Sequence, residues 1–260
     1  YEEVEFLPRY HRMTNRLYAY ILEQFHDVLS MKYIAGRCNV SITTIMRIFN
    51  MVQYPRPKLP EVLSIDEFRG NADGEKFQCI LTDPRNRKVV DVLGKRRAED
   101  LYAYFMYFDK SERNQVKYVS MDMSTLFRSV VKTCFPEAKI VADKYHVVRQ
   151  VTFSLDHVRK KIQKEFSKDR RLHFKHSRHI LLKPSNSLTE DERDRLSVML
   201  QASEYLREAY LRKMEFEKVT KCKTKGSAKK ELAKWIVLTQ NSGIEEYKTS
   251  CMTFIKWADE

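Results

Sequence analysis

The stretch that decides the fold is Val62-Leu63-Ser64-Ile65-Asp66-Glu67, a short apolar run that ends on two acidic residues. Runs of this kind predict a β-strand. Turn signals at Gly70 to Gly74 and at 83–86 separate it from two further strand patterns, over 77–82 and 88–93. Two hairpin-type turns in succession predict a three-stranded antiparallel meander.

Helices and strands alternate after the meander. Apolar spacing predicts helices around 98–108, 125–134 and 147–162, and strand patterns cover 116–121 and 139–142. The order β-β-β-α-β-α-β-α is that of an α/β ribonuclease H-like mixed sheet. In that arrangement the first and fourth strands are neighbours.

Two carboxylates occupy matched places in this predicted sheet. Asp66 ends the first strand pattern and Asp122 ends the fourth, so we expect them to meet across one gap. Hard oxygen ligands of this kind suit Mg²⁺ or Mn²⁺, and a pair of such ions supports phosphoryl transfer. The alternative is that both residues only form turns.

The first 53 residues have the pattern of a helix-turn-helix domain. Leu17, Ile21, Phe25 and Val28 predict one amphipathic helix, and Ser30 begins a second. Asn39 tolerates the left-handed conformation of a tight turn. Ser41 can cap a third helix, whose predicted inward stripe comprises four residues: Ile42, Ile45, Ile48 and Phe49.

The third helix would present short polar and basic side chains to the major groove of double-stranded DNA. The candidate DNA contacts are Ser41, Thr43, Thr44 and Arg47. An ordinary three-helix bundle with a solvated face is the alternative. Three prolines then mark residues 54–61 as a stiff linker.

Several motifs resemble the insertion-sequence transposases of the ISL3 family, in the DDE superfamily. They are Ser64-Ile65-Asp66-Glu67-Phe68, Asp91-Val92-Leu93, Val119-Ser120-Met121-Asp122-Met123 and the run from Phe135 to Arg149. The resemblance implies an enzyme that cuts transposon ends and joins them to target DNA, with Asp66 and Asp122 as the first two metal-binding acids. It also implies a bacterial, cytoplasmic location.

The third acid of that family, a Glu in a motif similar to Glu-Gly-x-Asn-Asn, does not occur in this sequence. By position we expect it beyond Glu260, and Glu245, Glu246 and Glu260 lack the expected neighbours. The chain alone is therefore expected to be inactive. A non-catalytic DNA-binding protein or regulator derived from a transposase is the alternative function.

Three residues near the fifth strand, Asp143, His146 and Arg149, can each be interpreted in two ways. Asp143 follows that strand and is a second candidate for the second acid. His146 and Arg149 share one helical face and could contact a DNA phosphate. Alternatively, they form a salt-bridge cluster with Asp143 at the start of the helix.

The sequence carries 48 Lys and Arg against 35 Asp and Glu, a net charge of +13 that favours a polyanionic partner. Ten basic residues lie within 159–183, and we expect contact with the phosphate backbone from them. Solvated helix faces are the alternative. The candidates are Lys160, Lys161, Lys164, Arg170 and Arg171.

The predicted domains are 1–53 for the helix-turn-helix, 62–166 for the catalytic sheet and 167–260 for a basic α-helical insertion. The five cysteines form no Cys-x-x-Cys motif, so a zinc knuckle is not indicated. No apolar run approaches the length of a membrane span. The sequence is compatible with a homodimer but does not indicate the oligomeric state.

Overall fold

The computed structural model describes residues 13–53, 55–71, 74–168, 171, 174 and 176–260. The chain divides into two compact units, Tyr1–Pro57 and Lys58–Glu260. Each unit has its own buried cluster of apolar side chains. No described helix is both long enough and apolar enough to cross a membrane.

The described part of the first unit contains helices α1 (Asn15–Gln24), α2 (Met31–Cys38) and α3 (Ile42–Met51). The side chains of Thr14, Ser30 and Ser41 accept hydrogen bonds from the first turns and so cap these helices. Asn39 has φ 51° and ψ 44°, which confirms the predicted left-handed turn between α2 and α3. The core consists of Ile21, Ile34, Ala35, Cys38, Ile45 and Ile48.

Two residues of the predicted inward stripes are not buried. Val28 is fully exposed, because α1 ends at Gln24 and the helical spacing does not extend to it. Ile42 is 45% exposed, because it is the first residue of α3 and lies beyond the core that Ile45 and Ile48 form. The sequence prediction was wrong for both positions.

The second unit is built on a five-stranded mixed sheet with the order β3-β2-β1-β4-β5. The strands are β1 (Val62–Arg69), β2 (Phe77–Asp83), β3 (Lys88–Leu93), β4 (Tyr118–Met121) and β5 (Lys139–Ala142). β1 pairs with β2 in the antiparallel sense and with β4 in the parallel sense, and β4 pairs in parallel with β5.

β1 is longer than the sequence pattern predicts. Asp66 lies inside the strand, not at its end, because residues 66–69 continue to pair with β2 after the pairing with β4 has stopped. The prediction of a strand end at Asp66 was therefore wrong. It is the end of the β1–β4 ladder that lies at Asp66.

Helices connect the later strands and make up the chain after β5 in the described residues. They are α4 (Ala98–Met106), α5 (Lys110–Arg113), α6 (Thr125–Cys134), α7 (Lys144–Glu165), α8 (Ser177–Leu182), α9 (Glu190–Gln201), α10 (Glu204–Thr220), α11 (Lys225–Asn241) and α12 (Lys248–Lys256). α7 packs on α8, α10 and α12. Its buried residues, among them Val151, Leu155 and Val158, belong to the helical core.

The sheet core and the helical core are in contact within this unit. Met123, just after β4, packs against both clusters. Phe254 in α12 belongs to the helical core, while Trp257 after α12 belongs to the sheet core. The end of α12 therefore lies beside the sheet.

Candidate carboxylate site

The carboxylates of Asp66 and Asp122 follow equivalent positions on neighbouring strands. Ile65 of β1 is paired with Met121 of β4, so the next residue of each strand is an aspartate. Because the two strands are parallel, both aspartates leave the paired region at the same end of the ladder. The sheet thus brings together two acids that are 56 residues apart in the sequence.

Asp122 is held by the start of α6. Its Oδ1 accepts a hydrogen bond of 3.1 Å from the backbone N of Ser124, the residue that caps α6. Burial raises the pKa of Asp122 above its ordinary value. The charges of Glu67 and Asp66 add to this rise, while His146 and the Ser124 hydrogen bond oppose it. Burial is thus the main cause of the raised pKa of Asp122.

Asp66 is tied to its own strand and to α7. Its Oδ1 accepts a 2.8 Å hydrogen bond from the backbone N of Glu67. The Nε2 atom of His146, in the first turn of α7, lies 3.5 Å from the same oxygen. Of the near-site candidates, His146 is thus brought directly to the first aspartate.

Asp143 has a structural role at the beginning of α7. Its backbone N donates to the carbonyl of Met121 at 2.7 Å, which fixes the helix start beside β4. Its carboxylate accepts hydrogen bonds from the backbone N of Tyr145 and His146, the N-cap arrangement. The ring of His146 lies instead next to Asp66. The carboxylate of Asp143 is therefore engaged in capping.

The negative charges of this region also affect the pKa of a buried thiol, that of Cys79. Cys79 of β2 is paired with Glu67 and is fully buried. Burial raises the pKa of Cys79 to about 12, and the charges of Asp66, Glu67 and Asp122 contribute to that rise. Glu67 also forms an ion pair with Arg96. In the described part of the chain, no three His, Cys, Asp or Glu side chains are grouped so that they could hold a metal ion.

An open cavity of about 250 Å³ extends from Asp122 along the exposed side of α7. It is lined by Asp122, Met123, His146, Arg149, Gln150 and Phe153. The Phe153 side chain is 50% exposed, and its ring packs on that of His157 with the ring centroids 4.3 Å apart. The sequence prediction missed Gln150 and Phe153, although they follow His146 by four and seven residues, which is the spacing of one helical face.

The three glutamates considered as a third acid have other partners. Glu245 pairs with Lys248 at 2.5 Å, and Glu246 pairs with Lys161 at 3.1 Å and accepts a hydrogen bond from the Tyr205 hydroxyl. Glu260 is largely buried and pairs with Arg128, whose guanidinium lies over the Trp257 ring. These contacts support the expectation that none of the three completes the site.

Family comparison fits this geometry. Residues 63–260 match a family model described as a transposase, the DDE domain of the ISL3 group, and residues 2–52 match the helix-turn-helix domain of transposase family ISL3. The chain belongs to the ISL3 family of transposases. The resemblance that the sequence motifs indicated is thereby confirmed.

A curated relative agrees with this assignment. The ISL3 chain is 27% identical over 259 residues to the transposase for insertion sequence element IS1001 of Bordetella parapertussis. The alignment covers 95% of this chain and 63% of that protein. The chain therefore spans about 63% of the length of this curated relative.

In the helix-turn-helix unit of this ISL3 chain, the candidate DNA-contacting residues differ in whether their side chains are exposed or engaged in other hydrogen bonds. Thr43 and Arg47 are exposed on α3. The Ser41 hydroxyl is occupied by capping, accepting from the backbone N of Thr44 at 3.1 Å and lying 2.9 Å from the Thr44 hydroxyl. Met46 and Asn50 share the outward face with Thr43 and Arg47, and the sequence prediction missed both.

The basic segment 159–183 of the ISL3 chain is partly neutralised by distant acids. Asp156 pairs with Arg159, Lys160 and Arg178, while Glu246 pairs with Lys161 and Glu192 with Lys183. The net charge around this segment is therefore lower than its ten basic residues alone suggest.

Basic side chains of the segment, some of them in these ion pairs, border an open cavity of about 610 Å³. Its lining includes Lys160, Lys164, Lys168 and Arg171. The Arg171 guanidinium also donates to the carbonyls of Gln163 and Lys164 near the end of α7. Arg170 lies outside the described residues.

Proposed function

We propose that this chain is the DNA-binding and catalytic part of a DDE transposase with a ribonuclease H-like sheet. The observation that carries the proposal is that Asp66 and Asp122 directly follow Ile65 and Met121, the last paired residues of the neighbouring parallel strands β1 and β4. Membership of the ISL3 family supports the same reaction class, metal-dependent cleavage and joining of DNA strands. The strand order β3-β2-β1-β4-β5 supports the fold assignment.

The two aspartates fit a divalent cation as two of its oxygen ligands. Both are hard donors, the type that Mg²⁺ and Mn²⁺ prefer. The raised pKa of Asp122 reflects burial and the repulsion between neighbouring carboxylates, which a bound cation would relieve. When bound, such ions supply activation of the attacking oxygen and stabilisation of the leaving oxygen at phosphorus.

Other residues of the site position the carboxylates and the DNA. His146 lies against Asp66 and, through the Asp143 cap, is fixed relative to β4. Arg149, one turn further along α7, lines the cavity that begins at Asp122. Its guanidinium would pair with a phosphate that enters this cavity. The α7 face thus serves as one wall of the strand-binding site.

Double-stranded DNA is the partner that the charge distribution supports best. The sequence between Asp27 and Glu61 has five Lys or Arg and no acidic residue. This segment contains α2 and α3, and the match to the ISL3 helix-turn-helix domain covers most of it. We assign recognition of the transposon ends to α3, and sequence-independent phosphate contact to Lys164, Lys168 and Arg171.

The proposal is tested by strand cleavage with the full-length protein that the gene encodes. Asp66→Asn and Asp122→Asn keep the side-chain shape but remove a charged ligand, so we expect each to reduce cleavage of the element's ends at least about a hundredfold. DNA affinity should remain unchanged. Asp194→Asn, at an exposed position of α9, is the matched control and should cleave normally.

Normal cleavage by either active-site variant would refute the assignment of that residue. A parallel loss in Asp194→Asn would show that the assay responds to charge in general. Loss of DNA binding together with cleavage would indicate misfolding, which circular dichroism of each variant would reveal.

A non-catalytic DNA-binding function is the second candidate. It is favoured by the lack, among the described residues, of a third carboxylate grouped with Asp66 and Asp122. We propose that the 260 residues alone bind the element's ends but do not cut them in Mn²⁺, whereas the full-length protein does. Equal cleavage by both would show that a carboxylate within the chain completes the site.

A further inference from the structure

α3 exposes three apolar side chains: Met51 is its last residue, and Ile42 and Met46 lie in its N-terminal half. Ile42 is 45% exposed and Met46 is 49% exposed. They are four residues apart, so their side chains are neighbours on one side of the helix. The core-facing positions of α3 are taken by Ile45 and Ile48.

The residues around this apolar pair have the chemistry of a DNA-reading surface. Thr43, Arg47 and Asn50 are exposed on the adjoining part of the same helix. The flanking segment is purely basic in its charged residues, with Lys32 and Arg37 on α2 and no acid between Asp27 and Glu61. Charge complementarity therefore selects a polyanion as the occupant of this face.

The major groove of DNA offers few apolar groups at its base edges. Among the four standard bases only thymine carries one, the C5-methyl group, and apolar side chains contact it. Cytosine carries only a hydrogen at C5, and the groups by which guanine and adenine are distinguished in the major groove are hydrogen-bond donors and acceptors. An exposed isoleucine and methionine on a groove-facing helix thus have one type of complementary partner.

We infer that Ile42 and Met46 read the methyl groups of thymine in the recognition site of the protein. This inference rests on the proposed function, because it requires that α3 lies in the major groove. It adds to the proposed function the base that is recognised, thymine, and the two residues that recognise it, Ile42 and Met46. Thr43, Arg47 and Asn50 would supply the hydrogen bonds to neighbouring bases.

The test uses the intact chain and removes only the methyl group from the DNA. A preferred duplex is first selected from random sequences, and each thymine is then replaced in turn by uracil, which differs only at C5. At one or more positions, we expect affinity to fall by about three- to fivefold, the effect of losing one buried methyl contact. Other positions should show no change.

Substitutions at the helix identify the side chains involved. The double variant Ile42→Ala/Met46→Ala should bind the thymine duplex and the uracil duplex equally well. Its affinity for both should equal the affinity of the unchanged protein for the uracil duplex. Val28→Ala is the matched control, since Val28 is an exposed apolar residue outside α3, and it should keep the full uracil effect. The exposed positions are not expected to affect folding, which circular dichroism checks.

Two results would overturn the inference while leaving the proposed function intact. One is tight binding to the selected duplex with no uracil effect at any position. The other is an undiminished uracil effect in Ile42→Ala/Met46→Ala. Failure to prefer any duplex over random DNA would overturn the inference and the role of α3 in end recognition together.

Discussion

Asp156 is a buried charge in the middle of α7, and its surroundings hold it ionised. The residue is 3% exposed, and its carboxylate pairs with Arg159 at 2.7 Å, Lys160 at 2.9 Å and Arg178 at 3.5 Å. Burial raises the pKa of Asp156, but the hydrogen bonds and charges of Lys160 and Arg159 outweigh burial. The net pKa therefore lies below the ordinary 3.8.

Replacing Asp156 by Asn should destabilise the second unit by about 2–4 kcal/mol, because it leaves the largely buried Arg159 guanidinium without its counter-charge. The free energy of unfolding in urea is the measurement. Asp194→Asn, at an exposed position without such partners, should change that free energy by less than about 0.5 kcal/mol. A similar small effect of Asp156→Asn would refute the structural role.

The same carboxylate predicts a pH dependence. Because the folded-state pKa of Asp156 is depressed, its contribution to stability is complete above the unfolded-state pKa and is lost as the pH falls through the folded-state value. Unfolding free energies measured from pH 6 to pH 3 should therefore fall less steeply in Asp156→Asn than in the unchanged chain. Identical slopes would contradict the pairing.

At the scale of elements, a polar network joins α10 to the segment after α8. Lys213 is 3% exposed, and its Nζ atom donates to the Lys183 carbonyl at 2.6 Å and lies 2.7 Å from Glu217. Glu217 in turn accepts hydrogen bonds from the backbone N and the hydroxyl of Ser185. The network therefore fixes the chain reversal between α8 and α9 against α10.

Lys213→Met should cost about 2–4 kcal/mol of unfolding free energy, because it leaves the Glu217 carboxylate partly unpaired. The double variant Lys213→Met/Glu217→Gln should recover part of this loss, with a coupling energy of about 1–3 kcal/mol in a double-mutant cycle. Strictly additive effects of the two substitutions would show that the pair is not coupled.

Elements defined by local chemistry are also those that the sequence predicts. Ser30, Asn39 and Ser41 act within a few residues of themselves, so the caps and the turn between α2 and α3 were predictable. The extension of β1 beyond Asp66 was not, since it depends on pairing with β2. The exposure of Ile42 and Val28 depends on where helices end relative to the core.

In the candidate site, too, some features could be predicted from the sequence and others could not. The pair Asp66 and Asp122 could be expected from the order of strands, and each residue directly follows the last paired residue of the β1–β4 ladder. The ion pair of Lys161 could not be expected from local counting, because its partner Glu246 is 85 residues away. Gln150 and Phe153 share the helical face of His146, but their place in the cavity depends on how α7 packs beside Asp122.

At the scale of the molecule, the two units have separate cores. The described core of the first unit consists of residues from α1, α2 and α3, whereas the sheet and helical clusters begin at Leu59. We therefore expect residues 58–260 to fold without 1–57. Their amide resonances in a ¹H–¹⁵N spectrum should coincide with those of the whole chain, apart from positions near the junction, and widespread shifts or loss of dispersion would contradict this expectation.

The central claim is that Asp66 and Asp122 together bind a divalent cation. Anomalous diffraction from crystals of the chain soaked in concentrated Mn²⁺ tests it most directly, with Asp66→Asn/Asp122→Asn crystals as the control. We expect an anomalous peak in contact with both carboxylates that disappears in the double variant. A peak only at other residues, or no peak at Asp66 and Asp122 in a well-ordered site, would contradict it.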